Sequence, residues 1–204
     1  DSAESRAAIG RLAGSQPVKE SPSLPAKPVA STNVLAAEQG LTGGSVGALA
    51  ASFAASLGTM VAKLNRARPA ETRLTEIGTR LRDLAQADRD AYARVLKARK
   101  LPPNHPDRAV QIASGLLDAI ETPMEIVKLC CEVIPLLRGL LAQAKPELQP
   151  DLKMGIELAD AAINGCVAMV EENMKVQPNQ LLVASIRERF AVAEQMLVDA
   201  KSLC

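Results

Sequence analysis

The feature that most constrains this fold is residues 41–65, LTGGSVGALAASFAASLGTMVAKLN, which contain no acidic residue and no basic residue before Lys63. The uncharged window from 39 to 62 is long enough to cross a membrane, which takes about 20 apolar residues. Its serines and threonines, and its shortage of large aliphatic side chains, favour instead a soluble helix that is buried on most sides. We therefore expect no membrane partner.

Small residues recur in this segment at every fourth position. The two rows are Gly43, Gly47, Ala51 and Ala55, and Ala50, Ala54, Gly58 and Ala62. Such rows let neighbouring helices approach closely, within or between subunits, and predict the central helix of a bundle. A phosphate-binding loop would need a lysine at a spacing that TGGSVGALA lacks. Gly43 and Gly44 precede the predicted helix, where free N–H groups and the helix dipole favour an oxygen ligand.

The remaining chain has a helical pattern that is interrupted by proline-containing breaks. The predicted helices are 45–65, 70–99, 107–119, 123–143, 151–175 and 179–201. Segments of this length with short connections predict an all-α fold, an antiparallel bundle of five to six helices. We assign residues 1–40 to an N-terminal arm with a Pro/Ser-rich linker and residues 41–204 to the helical domain.

Composition excludes several classes of function. The net charge is +1, and the only aromatic residues are one tyrosine and two phenylalanines, so neither a basic surface nor a stacking platform for nucleic acid is expected. The four cysteines lack paired metal-ligand spacing, and the single histidine, His105, lies in a loop motif, so no metal site is predicted. Cys130 and Cys166 fall on apolar stripes, which indicates thiols acting as small hydrophobic residues in a reducing, cytoplasmic compartment.

An aspartate interrupts the apolar seam of the second predicted helix. The seam consists of Leu74, Ile77, Leu81 and Leu84, then Asp88, then Ala91 and Val95. Burying an unpaired carboxylate costs several kcal/mol. Asp88 either turns outward to pair with Arg89 or Arg94, or serves as an acid/base group in an internal cleft.

A similar interruption occurs near the end of the fifth predicted helix. Its stripe consists of Leu152, Ile156, Ala159, Ile163, Cys166 and Val170, and the next member is Asn173. A buried amide must find partners in neighbouring backbone or in a ligand. A basic cluster that includes Lys63 and Arg68 is either simply solvated or available to an anionic substrate tail.

Four stretches of the chain carry a family resemblance: GGSVGALAASFAASLGTMVAKL, DRDAYARVLKARKLP, VQIASGLLDAIETPMEIVKLCCEVIPLL and DLKMGIELADAAINGCVAMVEEN. In their order and spacing they resemble the cyclodeaminase/cyclohydrolase family. The resemblance covers roughly residues 41–177. It implies an all-helical homodimer that acts on a tetrahydrofolate derivative and needs no further cofactor. One family reaction closes 5-formiminotetrahydrofolate to 5,10-methenyltetrahydrofolate with loss of ammonia. The other hydrolyses 5,10-methenyltetrahydrofolate to 10-formyltetrahydrofolate.

The resemblance also assigns site residues by position. The members that match family motifs are Gly43, Gly44 and Ser45 in the glycine-rich turn, Asp88 ahead of Ala91 and Tyr92, Asp151, and Asn173 in the NVxxN element. Asp88 and Asn173 thus match the family pattern and are also the two residues that interrupt the apolar seams. We predict Asp88 as the catalytic acid or base and the others as substrate-binding residues.

The sequence departs from the family at several of these positions. Thr42 replaces a glycine of the turn, Lys63 replaces an asparagine, Arg68 stands where paired lysines are usual, and Met169 replaces the first asparagine of NVxxN. Lys63 and Arg68 are nevertheless predicted to bind the substrate. Two alternatives stay open: a non-catalytic folate-binding or dimerisation module, and a membrane anchor formed by residues 39–62.

Overall fold

The computed structural model describes residues 41–177 and 180–202, except for the side chains of 193, 194 and 196–202. Its helices are α1 (Gly43–Leu64), α2 (Arg68–Arg99), α3 (Arg108–Leu141), α4 (Gln149–Val176) and α5 (Gln180–Ser202), and the 3₁₀ turn Pro146–Leu148 precedes α4. No strand occurs in this part of the chain. The predicted all-α class is confirmed. The predicted arm, residues 1–40, lies outside the described residues.

Helix α1 is the centre of the bundle and packs against α2, α3 and α4, while α5 packs against α3. Its small residues permit this close packing. A β-carbon at Gly58 would lie 2.3 Å from Leu137 Cδ2 and 2.9 Å from Leu74 Cδ1, both too close. Helix α1 is also long and apolar enough to span a membrane. Within the bundle, however, 56% of its most apolar 18-residue segment is buried, as the rows of small residues predict for a core helix.

The predicted break at 121–123 is wrong, because the two predicted helices 107–119 and 123–143 form the single helix α3, with Pro123 and Pro135 in its interior. A proline removes one backbone donor and leaves the carbonyl four residues earlier unpaired. Here the Asn173 side chain of α4 donates a 2.8 Å hydrogen bond to the Ala119 carbonyl. A neighbouring helix therefore replaces the bond that Pro123 cannot make, so the helix continues.

Two buried thiols belong to the main core between α1, α3 and α4. Cys130 and Cys166 are completely buried among alanine, leucine and isoleucine side chains. Burial raises the pKa of Cys166 to about 12 and also raises the pKa of Cys130. The thiols thus behave as the small apolar residues that their stripe predicts.

Candidate functional site

A cavity of about 370 Å³ opens at the N-terminal end of α1, where residues of α1 to α4 meet. Its wall includes Thr42, Gly43, Gly44, Asp88, Met169 and Asn173. Four of the residues predicted from the sequence, Gly43, Gly44, Asp88 and Asn173, lie here. The chain order brings them together because α2 and α4 both run antiparallel to α1, so the C-terminal parts of α2 and α4 reach its N-terminus.

Asp88 is the buried acid of this cavity, with only 7% of its surface exposed. Its Oδ2 atom accepts a 3.0 Å hydrogen bond from the backbone N–H of Ser45 and a short one from the Thr42 hydroxyl. Free N–H groups and the dipole at a helix N-terminus stabilise negative charge. The outward alternative is wrong, since Arg89 bonds to Gln86 and Arg94 pairs with Asp118.

Gly44 makes this arrangement possible by giving the carboxylate room. A β-carbon at position 44 would lie 2.3 Å from Asp88 Oδ1 and 2.5 Å from its Cγ, far inside van der Waals contact. Thr42 and Ser45 also form a reciprocal capping box at the start of α1. The turn therefore fixes the helix N-terminus and the carboxylate together.

Asn173 closes the cavity from α4, and one side of its amide is already used. Its Nδ2 atom donates to the Ala119 carbonyl at 2.8 Å, the backbone partner that its position in the seam required. No hydrogen bond to the Asn173 Oδ1 atom is found within the described residues. The amide is therefore oriented by the protein, and its carbonyl oxygen is available to a ligand.

The structure does not bring the remaining predicted residues into this cavity. Lys63 and Arg68 line a separate cavity of about 510 Å³, together with Arg66, at the C-terminal end of α1. Asp151 lies in the first turn of α4, near the same end of the bundle. A 22-residue helix separates the two ends by roughly 30 Å. Substrate binding by these three residues stays a prediction.

Six further residues that line the cavity were not predicted as site residues: Leu41, Thr42, Tyr92, Ala119, Pro123 and Met169. Tyr92, half-exposed, and Met169 form parts of the wall, and Thr42 bonds directly to Asp88. The Met169 sulfur would lie 2.7 Å from a β-carbon at Gly43. The Thr-x-x-Ser spacing of residues 42–45 is an N-cap signal that identifies Thr42 from sequence alone.

The cavity combines one anchored carboxylate with an oriented amide and apolar walls. Oδ2 of Asp88 is fixed by two donors, whereas no hydrogen bond to its Oδ1 occurs in residues 41–177 and 180–202. Within the same residues, no three His, Cys, Asp or Glu side chains are grouped to hold a metal ion. The arrangement suits proton exchange with a ligand bound in this cavity.

The chain is similar in sequence to known proteins. A family model described as formiminotransferase-cyclodeaminase matches residues 32–192. Formimidoyltransferase-cyclodeaminase of Sus scrofa is 25% identical over 174 residues, which cover 78% of this chain and 32% of that protein. The protein of the same name from Gallus gallus is 28% identical over 148 residues, covering 65% and 27% respectively. The chain thus spans about a third of the length of these relatives or less.

A solved structure has the same fold. The crystal structure of formiminotetrahydrofolate cyclodeaminase from Thermotoga maritima superposes with a TM-score of 0.71 at 20% identity. The superposition covers 86% of this chain and 92% of that one. The helical arrangement described above is therefore shared with a protein of that name.

Proposed function

The chain belongs to the formiminotransferase-cyclodeaminase family, and we propose that it is a folate-dependent one-carbon enzyme whose active site is the cavity at the N-terminus of α1. The observation that carries this proposal is the burial of Asp88 with one oxygen fixed by Ser45 and Thr42. A carboxylate held in this way is positioned to exchange a proton with a bound ligand. Asp88 is the proposed catalytic residue.

In the cyclodeaminase reaction, N10 of 5-formiminotetrahydrofolate attacks the formimino carbon, and a C–N10 bond forms. The C–N bond to the imino nitrogen then breaks, and ammonia leaves. The formimino group reacts in its protonated form, N5–CH=NH2⁺, and Asp88 takes the proton from N10 and returns it to the departing nitrogen. That nitrogen then carries three hydrogens and leaves as ammonia, the positive charge stays on the N5–C–N10 bridge, and Asp88 ends as it began. The product is 5,10-methenyltetrahydrofolate.

In the cyclohydrolase reaction, water adds to the methenyl carbon between N5 and N10. Asp88 accepts a proton from the attacking water and passes it to N5 as the C–N5 bond breaks. The new hydroxyl group loses its remaining proton to solvent and becomes the formyl carbonyl, which gives 10-formyltetrahydrofolate. Both reactions place the same carbon beside the same carboxylate. We propose that one of these two reactions is the activity, in the cytoplasm and with no cofactor beyond the tetrahydrofolate substrate.

The other predicted residues have supporting roles in this proposal. The turn from Gly43 to Ser45 positions α1 and Asp88, and the Asn173 carbonyl oxygen accepts a hydrogen bond from the pterin ring. Substrate binding by Lys63, Arg68 and Asp151 stays a prediction, because these residues lie at the other end of α1, roughly 30 Å from the cavity.

A non-catalytic folate-binding module is the second candidate function. The observation in its favour is that the side chains of Thr42 and Met169 lie in the cavity wall, at positions where the family pattern has glycine and asparagine. Thr42 takes up space that a glycine would leave open, and Met169 removes the amide that an asparagine would place near the reacting carbon. Folate binding without turnover of either substrate is the result that would favour this candidate.

Ultraviolet absorbance of methenyltetrahydrofolate tests both reactions side by side on the full-length protein. Asp88→Asn keeps an oxygen that can accept from Ser45 and Thr42, yet removes the proton-exchanging group. We expect kcat to fall about 10²- to 10⁴-fold. Asp90→Asn is the matched control, because Asp90 is exposed and bonds only to Gln86 in the described residues. Unchanged turnover in Asp88→Asn would contradict the acid/base role.

A further inference from the structure

A cavity of about 640 Å³ opens where α2 turns into α3. It is lined by residues of the last two turns of α2, the loop that follows and the first two turns of α3, and we call it the α2/α3 cavity. Lys97 in its wall follows Asp88 by nine residues, which is two and a half helical turns. The two residues therefore lie on opposite sides of α2, and the α2/α3 cavity is separate from the one that contains Asp88.

The backbone around the α2/α3 cavity is restrained. The loop 101–107 contains three prolines, whose rings fix the φ angle, and the His105 N–H donates a 2.9 Å hydrogen bond to the Pro102 carbonyl. The two helices also touch beside the cavity, since a β-carbon at Gly115 would lie 2.4 Å from Val95 Cγ2. The shape of the cavity is therefore set by the fold and does not depend on a ligand.

His105 is oriented within the loop by a bond to its ring. Its Nδ1 atom accepts a 3.2 Å hydrogen bond from the Asp107 N–H, so in the neutral ring the proton lies on Nε2. No partner for Nε2 is found among the described residues. Because His105 lines the α2/α3 cavity, this N–H group is a donor that a ligand can use.

Three more polar side chains of the lining are unpaired in the part of the chain that the structure describes, and they are Lys97, Gln111 and Ser114. All three can donate hydrogen bonds, and Lys97 adds a positive charge. Arg94, which also lines the cavity, is neutralised by Asp118 at 2.5 Å. Among the described lining residues none is acidic. The α2/α3 cavity therefore suits an anion that accepts several hydrogen bonds.

The neighbouring segments of the chain increase the positive charge. Three cations, Arg99, Lys100 and Arg108, and one anion, Asp107, follow one another between the end of α2 and the start of α3. The charges around the α2/α3 cavity thus sum to a positive value even when Asp107 is counted. A positive potential of this kind raises the local concentration of small anions.

The α2/α3 cavity also has an apolar part. Leu101 from the loop and Val110 from the first turn of α3 belong to its lining, and Val110 is 69% exposed. Ligand sites are typically cavities of roughly 300–1,000 Å³ in which apolar walls accompany a few polar groups. This cavity is in that range and is much larger than a free phosphate ion. It has room for an organic body next to the anionic group.

We propose that the α2/α3 cavity binds a small organic anion, in which an apolar body carries a terminal carboxylate or phosphate. The body packs on Leu101 and Val110. Lys97 and His105 donate to the oxyanion, together with the side chains of the first two turns of α3. Carboxylate and phosphate oxygens both accept the charge-assisted hydrogen bonds that such donors form. The site does not rest on the proposed function, because it uses none of the residues around Asp88.

Proton NMR of the whole chain without a purification tag tests the site, because His105 is the only histidine and its imidazole signals need no further assignment. Phenyl phosphate and phenylacetate are the probes, titrated at constant pH and ionic strength. We expect a saturable shift of the His105 signals with at least one of them, and the tighter probe identifies the preferred oxyanion. Inorganic phosphate lacks the apolar body and should bind about tenfold more weakly.

Two results of this titration would overturn the proposal. One is the absence of a saturable shift with both probes. The other is inorganic phosphate binding as tightly as the better probe, which would mean that the apolar part of the α2/α3 cavity takes no part in binding.

Two variants assign the binding to the lining. Val110→Asp places a carboxylate beside the bound anion and should weaken binding of the better probe roughly tenfold or more. Lys97→Gln removes the charge and should weaken it roughly threefold or more. Val192→Asp is the matched control, because Val192 is an exposed valine of α5 outside the lining. A folded Val110→Asp protein that binds like the control would overturn the site, and Lys97→Gln provides the same test if Val110→Asp does not fold.

Methyl-labelled methionine shows whether the probe has instead entered the cavity of Asp88. Met169 lies in the wall of that cavity, so its methyl signal should stay unmoved while the His105 signals reach saturation. A Met169 shift that follows the same titration curve would overturn the separate site. None of these measurements needs turnover. A wild type that turns over neither folate would therefore contradict the proposed function and leave the α2/α3 site standing.

Discussion

The two ends of α1 hold polar groups in opposite ways. At the N-terminal end, Thr42 and the buried residues Ser45 and Asp88 are tied to one another by hydrogen bonds. At the C-terminal end, the exposed side chains of Lys63 and Arg68 line the second cavity. Proton exchange requires a group fixed in place, whereas attraction of an anionic tail requires only charge. We therefore expect substitutions of the cavity residues to act through geometry, and changes of charge at Lys63 and Arg68 to act through electrostatics.

After Asp88→Asn, the largest effect is expected at the first end, from Gly44→Ala. The new methyl group would overlap the Asp88 carboxylate, whose Oδ1 lies 2.3 Å from the β-carbon position, and would displace it. A displacement of about 1 Å can cost on the order of 10²-fold in rate. Gly139→Ala is the matched control, because nothing lies within 4 Å of a β-carbon there. Turnover assays that find Gly44→Ala as active as Gly139→Ala would remove the geometric argument.

The next effect concerns stability and links Asn173 with Pro123. Asn173→Ala leaves the Ala119 carbonyl without its partner and should lower the unfolding free energy by about 1–3 kcal/mol. In a Pro123→Ala background the restored backbone N–H can bond to that carbonyl, so the same substitution should cost less. Urea unfolding of the wild type, Asn173→Ala, Pro123→Ala and the double variant measures the coupling free energy between the two positions. Equal costs in both backgrounds would show that the Asn173 bond does not replace the one missing at Pro123.

At the second end, Arg66 provides a smaller effect of opposite sign. It adopts the left-handed conformation with φ 56°, and the Ala67 N–H bonds to the Ala62 carbonyl at 2.8 Å, which closes the helix. Glycine adopts this conformation without steric cost, so Arg66→Gly should raise the unfolding free energy by about 1 kcal/mol. Arg66→Ala removes the same charge without this relief. Thermal unfolding in which the alanine variant is the more stable would contradict this interpretation.

The smallest effect is expected at an exposed ion pair, with which the larger effects at the two ends of α1 can be compared. Arg189 of α5 pairs with Glu121 of α3 at 2.5 Å and holds the pKa of that carboxyl below its usual value. The pair therefore adds stability above the unfolded-state pKa of about 4.3, and this contribution is lost as the pH falls through the lower folded-state value. Solvent screening limits it to less than about 1 kcal/mol.

Thermal unfolding from pH 7 to pH 3 checks this last expectation. Glu121→Gln should be slightly less stable than the wild type at pH 7, and the difference should vanish toward pH 3. Arg189→Gln should show the same loss at pH 7. A difference that grows as the pH falls would contradict the assignment.

Helical periodicity drew attention to Asp88 and Asn173, and the family pattern then selected the same two residues. Each interrupts an apolar seam, and a seam position faces a neighbouring helix whichever helix that is; Asp88 is buried and Asn173 is partly buried. Periodicity does not specify which helix ends meet. It therefore could not show that Lys63 and Asp151 lie at the other end of the bundle from Asp88, because that depends on helix directions and crossing points.

The error at Pro123 has a similar cause. A rule based on local sequence counts the hydrogen bond that proline removes, and it predicts a break. The structure replaces that bond through Asn173, a residue 50 positions later in the sequence. Local propensity cannot include a partner supplied by tertiary packing.

The most direct test of the central claim is to locate a bound folate relative to the cavity. The protein contains six methionines, and Met169 lies in the cavity wall. With methyl-labelled methionine, titration of the stable analogue 5-formyltetrahydrofolate should shift the Met169 methyl signal in a saturable way. That signal should be identified by its loss in Met169→Leu. Saturating folate that leaves the Met169 methyl unmoved would contradict the placement of the active site beside Asp88.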